Sequence, residues 1–323
     1  MAEVRPAGGA TAQPAADGAR PPAPAETVLA VKGLTVSYPA DGGRLLAVDG
    51  VHLDLRRGEV LGVVGESGSG KTTMATALLG LVRPPARVDA GEILLEGRDL
   101  RSLGREELRR LRWSELAFIP QGAMSALNPV LRVGGQFTDV MRAHGVRRRA
   151  EIAGRTAELL AAVGLEPSVA RRYPHELSGG MKQRVCIAMA IALGPKIVVA
   201  DEPTSALDVV VQRSVMETLK AVQAQRGLSL VLIGHDMALQ AQVVDRIAVM
   251  CRGHLVELGA TAAVFRAPAH PYTRLLLGSV PSLGQSSWVP AAASPELREE
   301  AYRLAAVRCP LRPAGPDHEV ALS

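Results

Sequence analysis

Hydrophobic positions recur in two different ways along this chain. Val28 to Val31, Leu34 to Tyr38 and Ala47 to Leu55 alternate apolar and polar residues, with glycine and proline turns between the runs. That alternation predicts strands buried on one face, and so a small antiparallel sheet ahead of the main core. Val60-Leu61-Gly62-Val63-Val64 is instead a continuous apolar run, as expected of a parallel strand buried on both faces. A glycine-rich turn and an amphipathic stretch beginning near Lys71 follow it. From about 125 to 190 the pattern is helical, most plainly over Ala150 to Val163 and Met181 to Leu193. Lys196 to Asp201 and Ser229 to Gly234 return to buried-strand runs, each followed by helix-like sequence. The alternation of strand and helix predicts an α/β fold with an open, mostly parallel sheet.

The pattern fades at both ends. Residues 1–26 are mostly Ala, Pro and Gly, which bury too little surface to offset the entropy of ordering, and are expected to form a disordered leader. Residues 27–265 are expected to form the main domain, with a helical subdomain at about 125–190. Residues 266–323 are expected to form a loosely packed C-terminal extension. No internal repeat is present, so one core is expected rather than two.

Composition narrows the setting. Aromatic residues make up only 3%, so the core must be built mainly from Leu, Val, Ile and Ala. The formal net charge of +5 is small for 323 residues and contains no dense basic block, which argues against nucleic acid as a partner. The three cysteines, Cys186, Cys251 and Cys309, are far apart and lack metal-ligand spacing, which suggests a reducing compartment. No apolar run reaches the roughly 18–20 residues needed to cross a bilayer, and the N-terminus lacks a secretion-signal pattern. A cytosolic chain is expected, with any membrane association made through a partner.

The chemistry lies in the turns. Gly65-Glu66-Ser67-Gly68-Ser69-Gly70-Lys71-Thr72 fits the phosphate-binding pattern G-x-x-x-x-G-K-[ST] in full, between a buried strand and a helix. Glycines let the backbone wrap a phosphate with its N–H groups turned inward. Lys71 would reach the β- and γ-phosphates, Thr72 would ligate Mg²⁺, and Thr73 continues the nucleotide-binding segment. The expected core is therefore that of a P-loop NTPase. Ile197 to Ala200 deliver Asp201 and Glu202 at a strand end, where α/β sheets bind ligands. Asp201 would hold Mg²⁺ through its water shell, and Glu202 would polarise the attacking water as general base.

Leu177-Ser178-Gly179-Gly180-Met181-Lys182-Gln183-Arg184 decides which machine this is. It resembles the signature of the ABC ATPase family, LSGG-x-Q-R, at every fixed position. The resemblance implies that Ser178, Gly179 and Gly180 contact ATP held by an opposing subunit, in a head-to-tail dimer with two ATP molecules at its interface. It places Tyr38 as the aromatic stacking on adenine and Gln121 as the sensor of γ-phosphate and metal. It also places Ser205-Ala206-Leu207-Asp208 as the loop communicating across the dimer, and His235 as the γ-phosphate contact. Gly234 stands where the family commonly has Thr or Ser.

Within the family the chain looks most like the ATPases of oligopeptide, dipeptide and nickel importers. The phosphate loop, Ala126-Leu127-Asn128-Pro129-Val130 and His270-Pro271-Tyr272-Thr273-Arg274-Leu275-Leu276 carry this likeness. The implied partners are transmembrane permease subunits, a second ABC ATPase subunit (a homologue or a second copy) and, indirectly, a substrate-binding protein. The implied location is peripheral, on the cytoplasmic face of the cell membrane. Members of this subgroup often carry several cysteines in the C-terminal tail, around an Arg-Cys-Pro, that can hold an iron–sulfur cluster. Here Arg308-Cys309-Pro310 is present, but Arg303 and Pro316 stand near where companion cysteines would be, and one thiolate cannot hold a cluster that needs about four. No such cluster is expected.

Other classes fit less well. A GTPase of the switch type would need Asn-Lys-x-Asp, and the only asparagine, Asn128, precedes Pro129. An ABC protein acting on nucleic acid would show two cassettes or long heptad inserts. A non-hydrolysing regulatory subunit is at odds with Glu202 and His235. Export, or transport of nickel or another small solute, is compatible with the same motifs.

Overall fold

The N-terminal alternating runs form two long strands, β1 (Thr27–Ala40) and β2 (Gly43–Arg56), paired antiparallel in this computed structural model, which describes residues 26–278 and 295–322. Residues 1–25, which hold nearly all of the expected leader, lie outside the described residues. The next strand, β3 (Val60–Val64), leaves this sheet and leads through the phosphate loop into α1 (Lys71–Leu78). Two further strands, β4 (Arg87–Leu95) and β5 (Arg98–Asp99), complete the small sheet in the order β2-β1-β4-β5. Its third strand escaped the sequence reading because Asp89, Gly91 and Glu92 break the apolar run of β4.

The chain continues through α2 (Arg105–Ser114) to β6 (Leu116–Ile119), which ends just before Gln121. The helical region follows as α3 (Val133–Ala143), α4 (Arg149–Ala162) and α5 (Gly179–Ala190). It returns to the sheet at β7 (Ile197–Asp201), then α6 (Val209–Arg226), β8 (Ser229–Gly234) and α7 (Met237–Ala241). Next come β9 (Arg246–Cys251), β10 (His254–Ala260), α8 (Thr261–Arg266), α9 (Pro271–Gly278), α10 (Pro295–Ala305), β11 (Arg312–Gly315) and β12 (His318–Val320).

The large sheet runs β11-β12-β10-β9-β3-β8-β7-β6. The five strands from β9 to β6 are parallel, and β10, β12 and β11 extend one edge antiparallel. Successive side chains of a strand point to opposite faces. Val60, Val198, Ala200, Leu230 and Leu232 face one apolar cluster with α3 to α6. Leu61, Val63, Ile197, Val199, Val231 and Ile233 face another, with α1 and the N-terminal sheet. Both faces are covered, which is why these strands read as unbroken apolar runs.

The two sheets are tied by a buried ion pair. Arg246 on β9 reaches Glu59 at 3.2 Å and Asp54 of β2 at 3.1 Å. Burial raises the Glu59 pKa, and the backbone N–H of Arg56 together with the Arg246 guanidinium opposes that shift. The described part of the C-terminal segment is more closely packed than its weak periodicity suggested, residues 279–294 of the expected extension lying outside the described residues. Glu257 of β10 is fully buried and accepts from the N–H groups of Ala269 and His270 and from His318 Nε2, the last at 2.6 Å. Arg56 of the N-terminal sheet also pairs with Asp317 at 2.9 Å. Polar pairings and strand addition, neither of which produces a hydrophobic period, hold this segment together with a few buried side chains of the main core, Tyr272, Leu275, Ala301 and Ala305.

Candidate active site

The turn after β3 must bring the backbone back on itself, and its glycines are required for two reasons. Gly65, Gly68 and Gly70 have φ of 154°, 81° and 100°, which L side chains rarely adopt. A Cβ at Gly65 would also lie 2.1 Å from the Met250 carbonyl oxygen, and one at Gly70 would lie 2.1 Å from that of Ala47. The loop is thus pressed between β9 and β2 and opens at the N-terminus of α1. Lys71 is buried, and its Nζ donates to the Gly65 and Glu66 carbonyls, both at 2.7 Å, and to Ser69 Oγ at 3.1 Å. Burial lowers its pKa, opposed by the nearby charges of Glu202, Asp201 and Glu66.

Asp201 ends β7 with only 1% of its surface exposed, and neither carboxylate oxygen has a hydrogen-bond partner. Burial raises its pKa, while the neighbouring Thr72 hydroxyl and Lys71 oppose the rise. A buried carboxylate with both oxygens unpaired is costly without a cation. Together with the Thr72 hydroxyl it makes an all-oxygen donor set suited to Mg²⁺, which keeps several waters. The residues present fit that ion.

Glu202 follows directly, with a left-handed φ of 44°. That turn takes its side chain out of the strand direction and between two others. Gln121 Nε2 donates to Oε2 at 2.8 Å, and His235 Nδ1 lies 3.2 Å from Oε1. The three come from the ends of β6, β7 and β8, neighbouring parallel strands, so one sheet edge assembles them. The Glu202 N–H bonds the Ile233 carbonyl at 2.9 Å, tying the ends of β7 and β8 together. A general base held between an amide and an imidazole can orient a water for attack on a phosphorus atom.

The remaining expected residues fall into two places. Tyr38, half-buried on β1, brings its hydroxyl 3.4 Å from Thr73 Oγ1, beside the phosphate loop. Ser178, Gly179 and Gly180 stand elsewhere, at the N-terminus of α5, where exposed Ser178 accepts from the Met181 N–H at 3.3 Å. Gly180 has no room for a side chain, since a Cβ would meet Val211 Cγ1 at 2.7 Å, and Gly179 packs near Leu207. Asp208 caps α6 by accepting from the Val211 N–H at 3.0 Å. The signature segment therefore rests on the 205–208 loop, and exposed Val209 and Val210 lie beside it.

Two features were missed by sequence reasoning. Gln240 of α7, 3% exposed, lies behind the site with its amide against two strands. A Cβ at Gly234 would meet its Nε2 at 2.6 Å, and one at Gly62 would meet its Oε1, also at 2.6 Å. This explains Gly234: the glutamine fills the space a larger residue would need. Tyr272 and Tyr302 also reach the phosphate loop from the C-terminal segment, accepting from the Glu66 N–H at 3.0 Å and donating to Glu66 Oε2 at 2.6 Å, respectively. The motif around Tyr272 stood out in the sequence, but nothing there pointed to Glu66.

Comparison with known proteins agrees with this geometry. Residues 48–205 match the family described as ABC transporter, and residues 256–313 match the one described as oligopeptide/dipeptide transporter, C-terminal region. The oligopeptide transport ATP-binding protein OppD of Bacillus subtilis is 44% identical over 262 residues, covering 80% of this chain and 73% of that protein. The dipeptide transport ATP-binding protein DppD of Haemophilus influenzae is 44% identical over 260 residues, covering 80% and 79%. Among solved structures, the ATP-binding cassette MJ0796, a dimer in a post-hydrolysis state bound to ADP and Pi, superposes with a TM-score of 0.64. It is 28% identical, over 72% of this chain and 98% of that one. The chain belongs to the ABC transporter family of ATPases.

Proposed function

We propose that this ATPase powers the import of oligopeptides or dipeptides, bound peripherally to the cytoplasmic face of the membrane through permease subunits. The observation that carries the reading is the combination, in one chain, of a complete hydrolytic edge with a C-terminal region of the oligopeptide/dipeptide transporter type over residues 256–313. No described helix is long and apolar enough to cross a membrane, so permease subunits would supply the channel. Residues 27–265 are assigned to the ATPase domain, with its helical part at about 125–190, and residues 266–323 to the extension. Cargo selection is assigned to the permease and to a substrate-binding protein.

Each residue has a role in that reading. Tyr38 stacks on adenine. The loop from Gly65 through Thr73 holds the phosphates at the start of α1 through inward N–H groups other than that of Glu66, which Tyr272 engages, and Lys71 exchanges loop carbonyls for phosphate oxygens. Thr72, Asp201 and Gln121 would hold Mg²⁺, and the ion would neutralise charge on the phosphate oxygens. Glu202 accepts the proton of the attacking water, while Gln121 and His235 keep its carboxylate in line. Ser178, Gly179, Gly180 and Asp208 act across a head-to-tail dimer, and exposed Val209 and Val210 support that interface. Tighter ATP binding by the closed dimer than by the open one drives the permease between access states.

Uptake of a labelled dipeptide tests the reading in cells expressing the complete transporter with either this chain or its Glu202→Gln form at equal levels. Uptake lost only in the variant is the expected result. Equal uptake in both would remove the peptide assignment.

A further inference from the structure

The phosphate loop is held from outside the nucleotide-binding core. Glu66, its second residue, has two of its three polar groups engaged by the C-terminal extension. Its N–H donates to Tyr272 Oη of α9 at 3.0 Å, and its carboxylate Oε2 accepts from Tyr302 Oη of α10 at 2.6 Å. The two rings touch, with centroids 5.8 Å apart at an interplanar angle of 58°, and the Arg252 guanidinium lies 5.0 Å from the Tyr302 ring centroid. Tyr272 is fully buried. Burial, reinforced by the bond to Glu66, pushes the Tyr302 hydroxyl up to about 12, so it is a donor throughout the physiological range.

The arrangement removes Glu66 from the phosphate cradle. Its N–H is committed to Tyr272, and its negative charge is fixed towards the extension rather than free to approach a triphosphate. The Glu66 carbonyl, meanwhile, accepts from Lys71 Nζ at 2.7 Å, so the same residue joins the extension to the lysine that meets the phosphates. We propose that Tyr272 and Tyr302 are positioning residues for the phosphate loop, through which the C-terminal extension sets the affinity of the site for ATP. This rests on the ATPase reading of the site. It gives the extension a part in the nucleotide cycle: a partner that shifts α10 would change ATP affinity without touching the nucleotide.

The test uses the full chain, with ATP binding measured by calorimetry and thermal unfolding measured without nucleotide. A hydrogen bond to a charged group contributes enough that its loss should weaken ATP binding about three- to tenfold in Tyr302→Phe, with any fall in the unfolding midpoint small enough that the chain stays folded at the assay temperature. The carboxylate carries the effect, so adding Tyr302→Phe to Glu66→Gln should produce little further loss. Tyr272→Phe, which keeps the buried ring, should also weaken binding. Unchanged affinity in Tyr302→Phe, or an equal loss in the native and Glu66→Gln backgrounds, would overturn the proposal. Absence of ATP binding by the native chain would instead remove the ATPase reading on which it rests.

Discussion

Gln121 and Glu202 are 81 residues apart in sequence, yet the Gln121 amide donates to Glu202 Oε2 at 2.8 Å. The bond joins the ends of β6 and β7 and leaves Oε1 to face His235 at 3.2 Å. The Glu202 carboxylate is thus aimed from both sides, and in the proposed role of base this would lower the ordering needed at the moment of reaction.

Replacing Glu202 by Gln keeps the shape and the Gln121 contact but removes the basic oxygen. Steady-state ATPase assays should show a fall of about 10²–10⁴-fold in kcat. ATP binding should persist, and size-exclusion chromatography in ATP should show an accumulated dimer. Unchanged turnover would exclude Glu202 as the base.

Lys71→Ala removes the cation that the loop carbonyls hold in place. A charge-assisted contact to phosphate is lost, so ATP affinity should fall by more than about tenfold. Binding equal to that of the native chain would mean that Lys71 stays on the carbonyls and does not meet the phosphates.

Asp201→Asn tests the unpaired buried carboxylate. Removing its charge relieves a desolvation cost, so the unfolding midpoint in magnesium-free buffer should rise by about 2–4 °C. Hydrolysis should be lost even at high Mg²⁺. A lower midpoint would show that the carboxylate has a stabilising partner in the protein.

Gly234 and Gln240 should be coupled. Gly234→Ser places a Cβ where the Gln240 amide lies, and overpacking of this kind costs about 1–3 kcal/mol. Gln240→Ala in the same chain should recover most of that loss in urea unfolding. Additive effects of the two substitutions would separate the residues.

His270 provides a pH signature. Burial lowers its pKa, with Glu257 opposing and Arg274 reinforcing the shift. Its Nδ1 accepts from the Tyr272 N–H at 3.0 Å, a bond that protonation removes. The folded state therefore takes up this proton less readily than the unfolded chain. The stability is fully present above the unfolded value of about 6.5 and is lost as pH falls through the lower folded value. Unfolding midpoints should fall as pH drops below about 6.5, and less steeply in His270→Gln. Identical profiles would assign the acid sensitivity to other groups.

Much of the site was legible because phosphate chemistry constrains local sequence. A loop that turns its N–H groups onto a phosphate needs glycine where φ is positive, as at Gly68 and Gly70, and that need is visible in one dimension. Buried parallel strands showed themselves as apolar runs because both faces are covered, and Asp201 and Glu202 interrupt such a run where a sheet edge opens. Likeness to a known family, rather than local pattern, picked out Gln121 and His235, since a lone Gln or His after a strand carries no signal of its own.

What the tertiary structure alone decided are the relations between segments that no period records. The sequence named Glu202, but only strand order put Gln121 and His235 on its two oxygens. It contained Gly234 as an unexplained departure, and the packing of Gln240 between Gly62 and Gly234 gave the reason. It showed a tail with little periodicity, whose described part is joined to the rest by Glu257 with His318, by Arg56 with Asp317 and by two tyrosines on Glu66, beside a few buried apolar residues of α9 and α10. Local conformational needs and burial on a face leave marks at fixed spacing. Pairings between polar groups far apart in the chain depend on where the backbone carries them, and so become visible only once it has folded.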